Sequence, residues 1–275
     1  MDSFFCITGA AGSLGKAMAV ECAHRGWNLF LTDLNAEPLE AFAGALRTTY
    51  GIRVESCPCD MTDAASREAL FAHIQERGYR FWGLINVAGT DYEGPFLEKT
   101  RMQIRTVLRL NIEGTLEMTH AVLSRRDQSR RFRLITVGSL ASFYPMPTKA
   151  TYAASKRFLL DFFMALREEL RGEGTVTILC PAGMPTTAEC IQRIGTQGVM
   201  GRITTRNVGF VAVRVIEEAL RGRCVYIPGF PNRLLRFAGG LVPRQVLTWA
   251  VGLRWKAADR KMKEGEPGKV SPSLS

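Results

Sequence analysis

The chain has 275 residues, 46% hydrophobic and 23% charged, an ordinary globular usage that excludes a disordered chain, a collagen-like repeat and a coiled coil. Its 36 Lys and Arg against 26 Asp and Glu give a net charge of +10, which raises nucleic acid or an anionic membrane as a partner. The excess is uneven: residues 1 to 220 hold 25 basic and 23 acidic side chains, residues 221 to 275 hold 11 and 3. The body is nearly neutral and the tail is basic.

Short apolar runs alternate with longer amphipathic ones. Strands are expected near residues 4 to 8, 28 to 32, 52 to 57, 82 to 87, 132 to 138, 175 to 180 and 224 to 227, with helices between them. That alternation predicts an α/β chain: a Rossmann-type doubly wound parallel sheet of about seven strands with helices on both faces. Residues 1 to 230 form one catalytic and dinucleotide-binding domain in this reading, and residues 231 to 275 a helical extension with a frayed end.

The first residues carry no basic segment before the apolar run, so a first strand is expected there and no secretory signal. Seven Cys without disulfide-framework spacing point to a reducing, cytoplasmic setting. Cys57-Pro58-Cys59 is too tight for a zinc knuckle, and His24, His73 and His120 stand singly, so no metal is expected. Residues 234 to 255 come nearest to a membrane span, but Arg236, Pro243, Arg244 and Arg254 interrupt them.

The first strand runs into Thr8-Gly9-Ala10-Ala11-Gly12-Ser13-Leu14-Gly15, and a helix follows from Lys16. A strand, a glycine turn and a helix N-terminus bring free N–H groups and a positive dipole end to where a pyrophosphate can sit. The second strand ends at Asp33, placed to accept hydrogen bonds from ribose hydroxyls and to repel a 2′-phosphate. With no Lys or Arg within the turn or directly after Asp33, NAD(H) is favoured, and NADP(H) stays open.

Tyr152 and Lys156 lie four apart at the start of a predicted helix, hence on one face. Ser139 precedes them, just after the strand ending near Val137. A phenol with a pKa of about 10 is a weak acid-base group at neutral pH, so a neighbouring cation is needed to stabilise its anion.

Together with the glycine turn, Asp60 in Cys59-Asp60-Met61-Thr62, the turn Asn86-Val87-Ala88-Gly89, and Asn111, these residues make the chain resemble the classical short-chain dehydrogenase/reductase family over about residues 4 to 227. The resemblance implies Ser139 as the group that positions the substrate oxygen, Tyr152 as acid and base, Lys156 as its partner, and Asn111 as holder of a water linked to Lys156. It implies cofactor contacts from Gly9, Ala11, Gly12, Ser13, Leu14, Gly15, Asp33, Asp60, Met61, Asn86, Ala88, Gly89, Tyr152 and Lys156. Pro181, Gly183, Met184 and Thr186 stand where the family touches the nicotinamide end.

Two departures stand out. Ser13 replaces the family's middle glycine, with Gly12 one place earlier, and Ala182 replaces the glycine of a Pro-Gly turn. The first gives the spacing of the extended branch that includes sugar-nucleotide epimerases. An NAD-retaining epimerase or dehydratase, or a dinucleotide sensor without catalysis, is therefore the alternative to an oxidoreductase interconverting an apolar secondary alcohol and ketone.

Loops after the strands' C-terminal ends should hold the substrate. They offer Thr90, Asp91, Tyr92, Leu140, Phe143, Tyr144, Pro145, Met146 and Met184, then residues 187 to 205. The resemblance also implies a homodimer or homotetramer through the helices around residues 100 to 123 and 152 to 171. The segment 231 to 263 mixes Leu, Val, Phe and Trp with basic residues, a pattern that suits a substrate lid, a subunit contact or peripheral contact with a membrane surface. No reader module accompanies the charge, so nucleic acid is not expected.

Overall fold

In the computed structural model, described over residues 3–184 and 205–253, seven strands form one parallel sheet. They are β1 (Phe4–Thr8), β2 (Leu29–Thr32), β3 (Val54–Ser56), β4 (Phe81–Asn86), β5 (Phe132–Val137), β6 (Gly174–Leu179) and β7 (Val225–Tyr226). Their order is β3-β2-β1-β4-β5-β6-β7, the Rossmann-type arrangement expected. Winding reverses between β1 and β4, and a ligand crevice opens at such a switch point beyond the strands' C-terminal ends.

The helices are α1 (Ser13–His24), α2 (Ala36–Tyr50), α3 (Ala64–Glu76), α4 (Arg101–Leu108), α5 (Thr115–Ser124), α6 (Ala150–Glu169), α7 (Val208–Leu220) and α8 (Phe230–Gly240). A further helical stretch covers residues 244–253. Strand side chains alternate between two cores because successive residues face opposite sides of the pleat. Phe5, Ile7, Leu29 and Leu31 pack with α1, α2 and α7. Phe4, Cys6, Phe30 and Leu84 pack with α3, α5 and α6. Being covered on both faces explains why these strands read as continuous apolar runs.

Local chemistry sets the helix starts. Asp63 caps α3 by accepting from Ser66 N, and Thr100 with Gln103 closes a capping box on α4. Arg67 is buried and ties the turn after β3 to the middle of the molecule: it donates to the Met61 carbonyl at 2.9 Å and pairs with Glu117 at 2.6 Å and with Glu113.

The arginine-rich run after α5 is partly structural. Arg125 donates to the Tyr79 carbonyl at 3.1 Å, Arg126 pairs with Glu173 at 2.5 Å, Arg130 lies over Trp82, and Arg133 donates to Thr175 from within β5. Neighbouring strand ends put carbonyls and an acid within reach of these long side chains. No described helix is long and apolar enough to cross a membrane.

Candidate active site

The glycine turn after β1 is shaped by close approach. Gly9 has φ +65, and a Cβ on it would lie 2.8 Å from Ala88 N; a Cβ on Gly15 would lie 2.0 Å from the Gly9 carbonyl oxygen. Only glycine allows the turn to fold against α1 and the β4 turn this tightly. Gly12 is less confined, and with Ser13 it stands exposed at the start of α1. Leu14 points the other way, into the core.

Asp33 Oδ2 accepts from Ala11 N at 2.9 Å, so this carboxylate is fixed to the glycine turn itself. Lys16, the cation next to that turn, lies over Phe42 at 5.6 Å from the ring centroid. Thr8 Oγ1 accepts from Val87 N and Ala88 N, which clamps the two turns of the crevice together. Asn86 donates to Thr119 at 2.8 Å, while its buried Oδ1 has no hydrogen-bond partner among the described residues. Asp60 accepts from Thr62 N at 2.8 Å and from the Thr62 hydroxyl at 2.7 Å, which orients the turn that continues through buried Met61.

A glycine cradle, an exposed helix N-terminus, a fixed carboxylate at the end of β2 and an orphaned amide oxygen fit a dinucleotide. Pro181, Gly183 and Met184 follow β6 at the same end of the sheet, with Pro181 O accepting from Leu140 N at 2.8 Å. Thr186 lies outside the described residues.

Ser139, Tyr152 and Lys156 come together beside this crevice. Ser139 ends the strand-to-helix turn: its Oγ accepts from Ala141 N at 3.1 Å, and its N donates to Ser142 Oγ at 3.2 Å. Its side chain also faces the Tyr152 phenol and favours the phenolate. Lys156 is 4% exposed and donates to the Val137 carbonyl at 2.8 Å, with Nζ 5.8 Å from the Tyr152 ring centroid. Gly89 packs here too, since a Cβ on it would lie 3.2 Å from both Lys156 Nζ and Asn111 Oδ1.

Asn111 sits where the helix between α4 and α5 widens into a π-turn, Arg109–Gly114. Such a bulge swings one residue out of the regular helical face. Asn111 is fully buried; its Oδ1 accepts from Thr90 N at 2.9 Å, and its Nδ2 donates to Thr90 O and Ser155 Oγ, both at 3.0 Å. Its side chain thus holds the β4 turn against the helix that carries Tyr152 and Lys156.

Burial holds the Tyr152 phenol above the ordinary tyrosine value, against the lowering effects of the Ser139 hydroxyl and the nearby Lys149 ammonium. Lys156 Nζ lies 5.8 Å from the Tyr152 ring centroid, as near as Lys149 Nζ at 5.9 Å. Burial of Lys156 brings its pKa down to about 8, and its ammonium is committed to Val137 O.

Lys149 was not legible as a site residue. It is 17% exposed, pairs with Asp91 at 2.7 Å and Glu93 at 3.0 Å, and lies 5.9 Å from the Tyr152 ring centroid. Asp91, expected on the substrate side, is therefore engaged within the protein. The signal was present as a lysine three before Tyr152 and two acids after Gly89, but only the fold brings the two loops together.

The apolar loop after Ser139 meets the extension. Tyr144 donates to the Leu235 carbonyl at 2.7 Å, Arg236 lies over Phe143 at 4.3 Å from its centroid, and a Cβ on Gly239 would lie 2.6 Å from the Tyr144 ring. Residues 244–253 reach the same loop where Gly252 meets Pro147. The described part of the extension therefore walls the catalytic side.

Residues 3–193 match the family model described as short chain dehydrogenase. Among curated relatives, the very-long-chain 3-oxoacyl-CoA reductase of Schizosaccharomyces pombe is 31% identical over 177 residues, 61% of this chain and 52% of that protein. The 17-beta-hydroxysteroid dehydrogenase type 3 of Rattus norvegicus is 31% identical over 192 residues, 68% of this chain and 61% of that one. The chain thus spans less than two thirds of the length of either. A solved short-chain dehydrogenase from Sphingobium yanoikuyae, in complex with NADPH, superposes with a TM-score of 0.74 at 25% identity, covering 98% of this chain and 99% of that one. With its motifs assembled around a dinucleotide crevice, the chain belongs to the short-chain dehydrogenase family of NAD(P)-dependent oxidoreductases.

Proposed function

We propose that the protein interconverts a secondary alcohol and a ketone set in a long apolar body, of the 3-oxoacyl or ketosteroid kind, using a nicotinamide dinucleotide. The observation that carries this reading is the meeting of Ser139, Tyr152 and Lys156 beside the glycine cradle, under a wall that includes Phe143, Tyr144 and α8. The bound cofactor supplies or accepts hydride at the carbonyl carbon. The chain's own residues handle the oxygen: Ser139 Oγ holds it, and the Tyr152 hydroxyl gives it a proton in reduction and takes one back in oxidation.

Gly9, Gly12, Ser13, Gly15 and Asp33 would hold the adenosine half, with Asp60, Met61, Asn86, Ala88 and Gly89 along the crevice and Pro181, Gly183 and Met184 at its far end. Asp33 supports preference for NAD(H), since a carboxylate repels a 2′-phosphate. Tyr152→Phe should abolish turnover of a long-chain 3-oxo compound while dinucleotide binding, followed by NADH fluorescence, persists. Undiminished turnover would remove the phenol from the mechanism.

The exposed apolar side chains of α4 and α6, including Met102, Phe158 and Met164, support association of the chain into a dimer or tetramer. Peripheral contact with a membrane is supported by exposed Phe230, Leu234, Phe237, Leu241 and Trp249 beside Arg233 and Arg244, with no acid between residues 228 and 253. Flotation with anionic liposomes should be lost on Phe237→Ser with Trp249→Ser; flotation unaltered by the pair would put the contact elsewhere.

A further inference from the structure

A second basic concavity opens at the β7 edge of the sheet, apart from the dinucleotide crevice. It has a volume of about 700 Å³, and its lining includes Arg206, Arg214, Arg223, Arg233, Tyr226 and a single carboxylate, Glu218. Two of the four arginines are neutralised: Arg214 by Glu217 at 2.9 Å, and Arg223 by Glu218. Arg206 and Arg233 have no carboxylate partner among the described residues.

Arg206 is partly buried, and Arg233 is exposed on a backbone fixed at the start of α8. The Arg206 guanidinium lies against Gly229, where a Cβ would come within 2.6 Å of its Nε. Arg233 is fixed in the first turn of α8, its N donating to the Gly229 carbonyl at 3.3 Å. Both stand near the C-terminal end of β7, which is the catalytic edge of a parallel sheet. The N-terminus of α7 joins the same cavity through Asn207 and Phe210, adding a positive dipole end.

An occupant must be anionic. A second copy of the chain docked here across a two-fold axis would set arginines against arginines, which opposes self-association. Planar guanidinium forks match phosphate oxygens in pairs, and a cavity of this volume is larger than a bare ion needs.

We propose that Arg206 and Arg233, backed by Arg214 and Arg223, form a binding site for a phosphate ester, separate from the dinucleotide crevice. The ester is either the phosphates of a thioester carrier such as coenzyme A or a phospholipid headgroup. The carrier assignment rests on the reductase reading above; the site itself does not.

The test uses the full chain saturated with NADH, so that the crevice cannot take up the probe. Coenzyme A is titrated calorimetrically, and vesicles of phosphatidylcholine with and without phosphatidic acid are tested by flotation. Arg206→Gln with Arg233→Gln is compared with the unmodified chain and with Arg171→Gln, an exposed arginine on α6's C-terminal side. The double variant should weaken the recognised probe by about tenfold or more, steeply with salt, with Arg171→Gln unaltered. Loss confined to coenzyme A identifies the carrier; loss confined to phosphatidic acid, seen also with Arg206→Gln alone, which leaves α8 unaltered, identifies the headgroup. Binding of neither probe, or binding indifferent to the double variant, overturns the proposal. Turnover of a phosphate-free ketone, measured in parallel, should be the same in the double variant and the unmodified chain. Its absence in both would count against the reductase reading, not against the phosphate site.

Discussion

Replacing Lys149 with methionine should shift the pH dependence of the reaction toward higher pH. The ammonium lies 5.9 Å from the Tyr152 ring centroid, between Asp91 and Glu93. A unit charge at about 6 Å in an effective dielectric of about 20 is worth about 2.8 kcal/mol, or about two pKa units. Lys149 is 17% exposed, and screening should reduce the effect to about one unit. The sign is fixed by charge: removing a cation that lowers the phenol's pKa, and leaving Asp91, which raises it, makes the phenolate harder to form.

The alkaline limb of kcat/KM, measured in the reducing direction over a pH series with saturating cofactor, should move up by about one unit. Lys149→Arg should keep the original limb. Adding Asp91→Asn to Lys149→Met should bring much of the shift back. A limb that stays in place while the rate falls would show that Lys149 merely anchors the loop, and the electrostatic argument would fail.

Asp33→Ala should relax discrimination against NADPH by about tenfold or more, read as the ratio of kcat/KM with the two cofactors; loss of the Ala11 contact should also weaken NADH. An unmodified protein that already favours NADPH would show that the carboxylate does not set the choice. Gly15→Val would force a Cβ to within 2.0 Å of the Gly9 carbonyl. It should cost about 1–3 kcal/mol of stability, seen as a lower Tm, and prevent dinucleotide binding; a variant with normal Tm and affinity would mean the turn can open without cost.

The sheet was legible because its strands are buried on both faces and bounded by turn residues, so continuous apolar runs such as Phe4 to Ile7 and Leu29 to Leu31 mark them directly. Tyr152 and Lys156 were legible because helical spacing puts them on one face. Lys149 was not, since its partners Asp91 and Glu93 are 58 residues away or a little less, in a loop placed only by the fold. Nor was the π-turn at Asn111, which depends on how the helix is pressed against Thr90 and Ser155 rather than on residue preferences. The enclosure of the Tyr152 phenol was not legible either, because spacing gives neighbours but not burial.

The short loop from Ser139 to Pro147 has two masters. At one end Ser139 is locked by reciprocal bonds with Ala141 and Ser142 and faces Tyr152; at the other, Tyr144 and Phe143 are gripped by α8, and Pro147 by residues 244–253. Fewer than ten residues thus join the serine beside the proposed proton donor to the extension. A ligand or surface that pulls the extension aside should therefore also disturb the serine, so whatever binds α8 reaches the proposed chemistry without touching it.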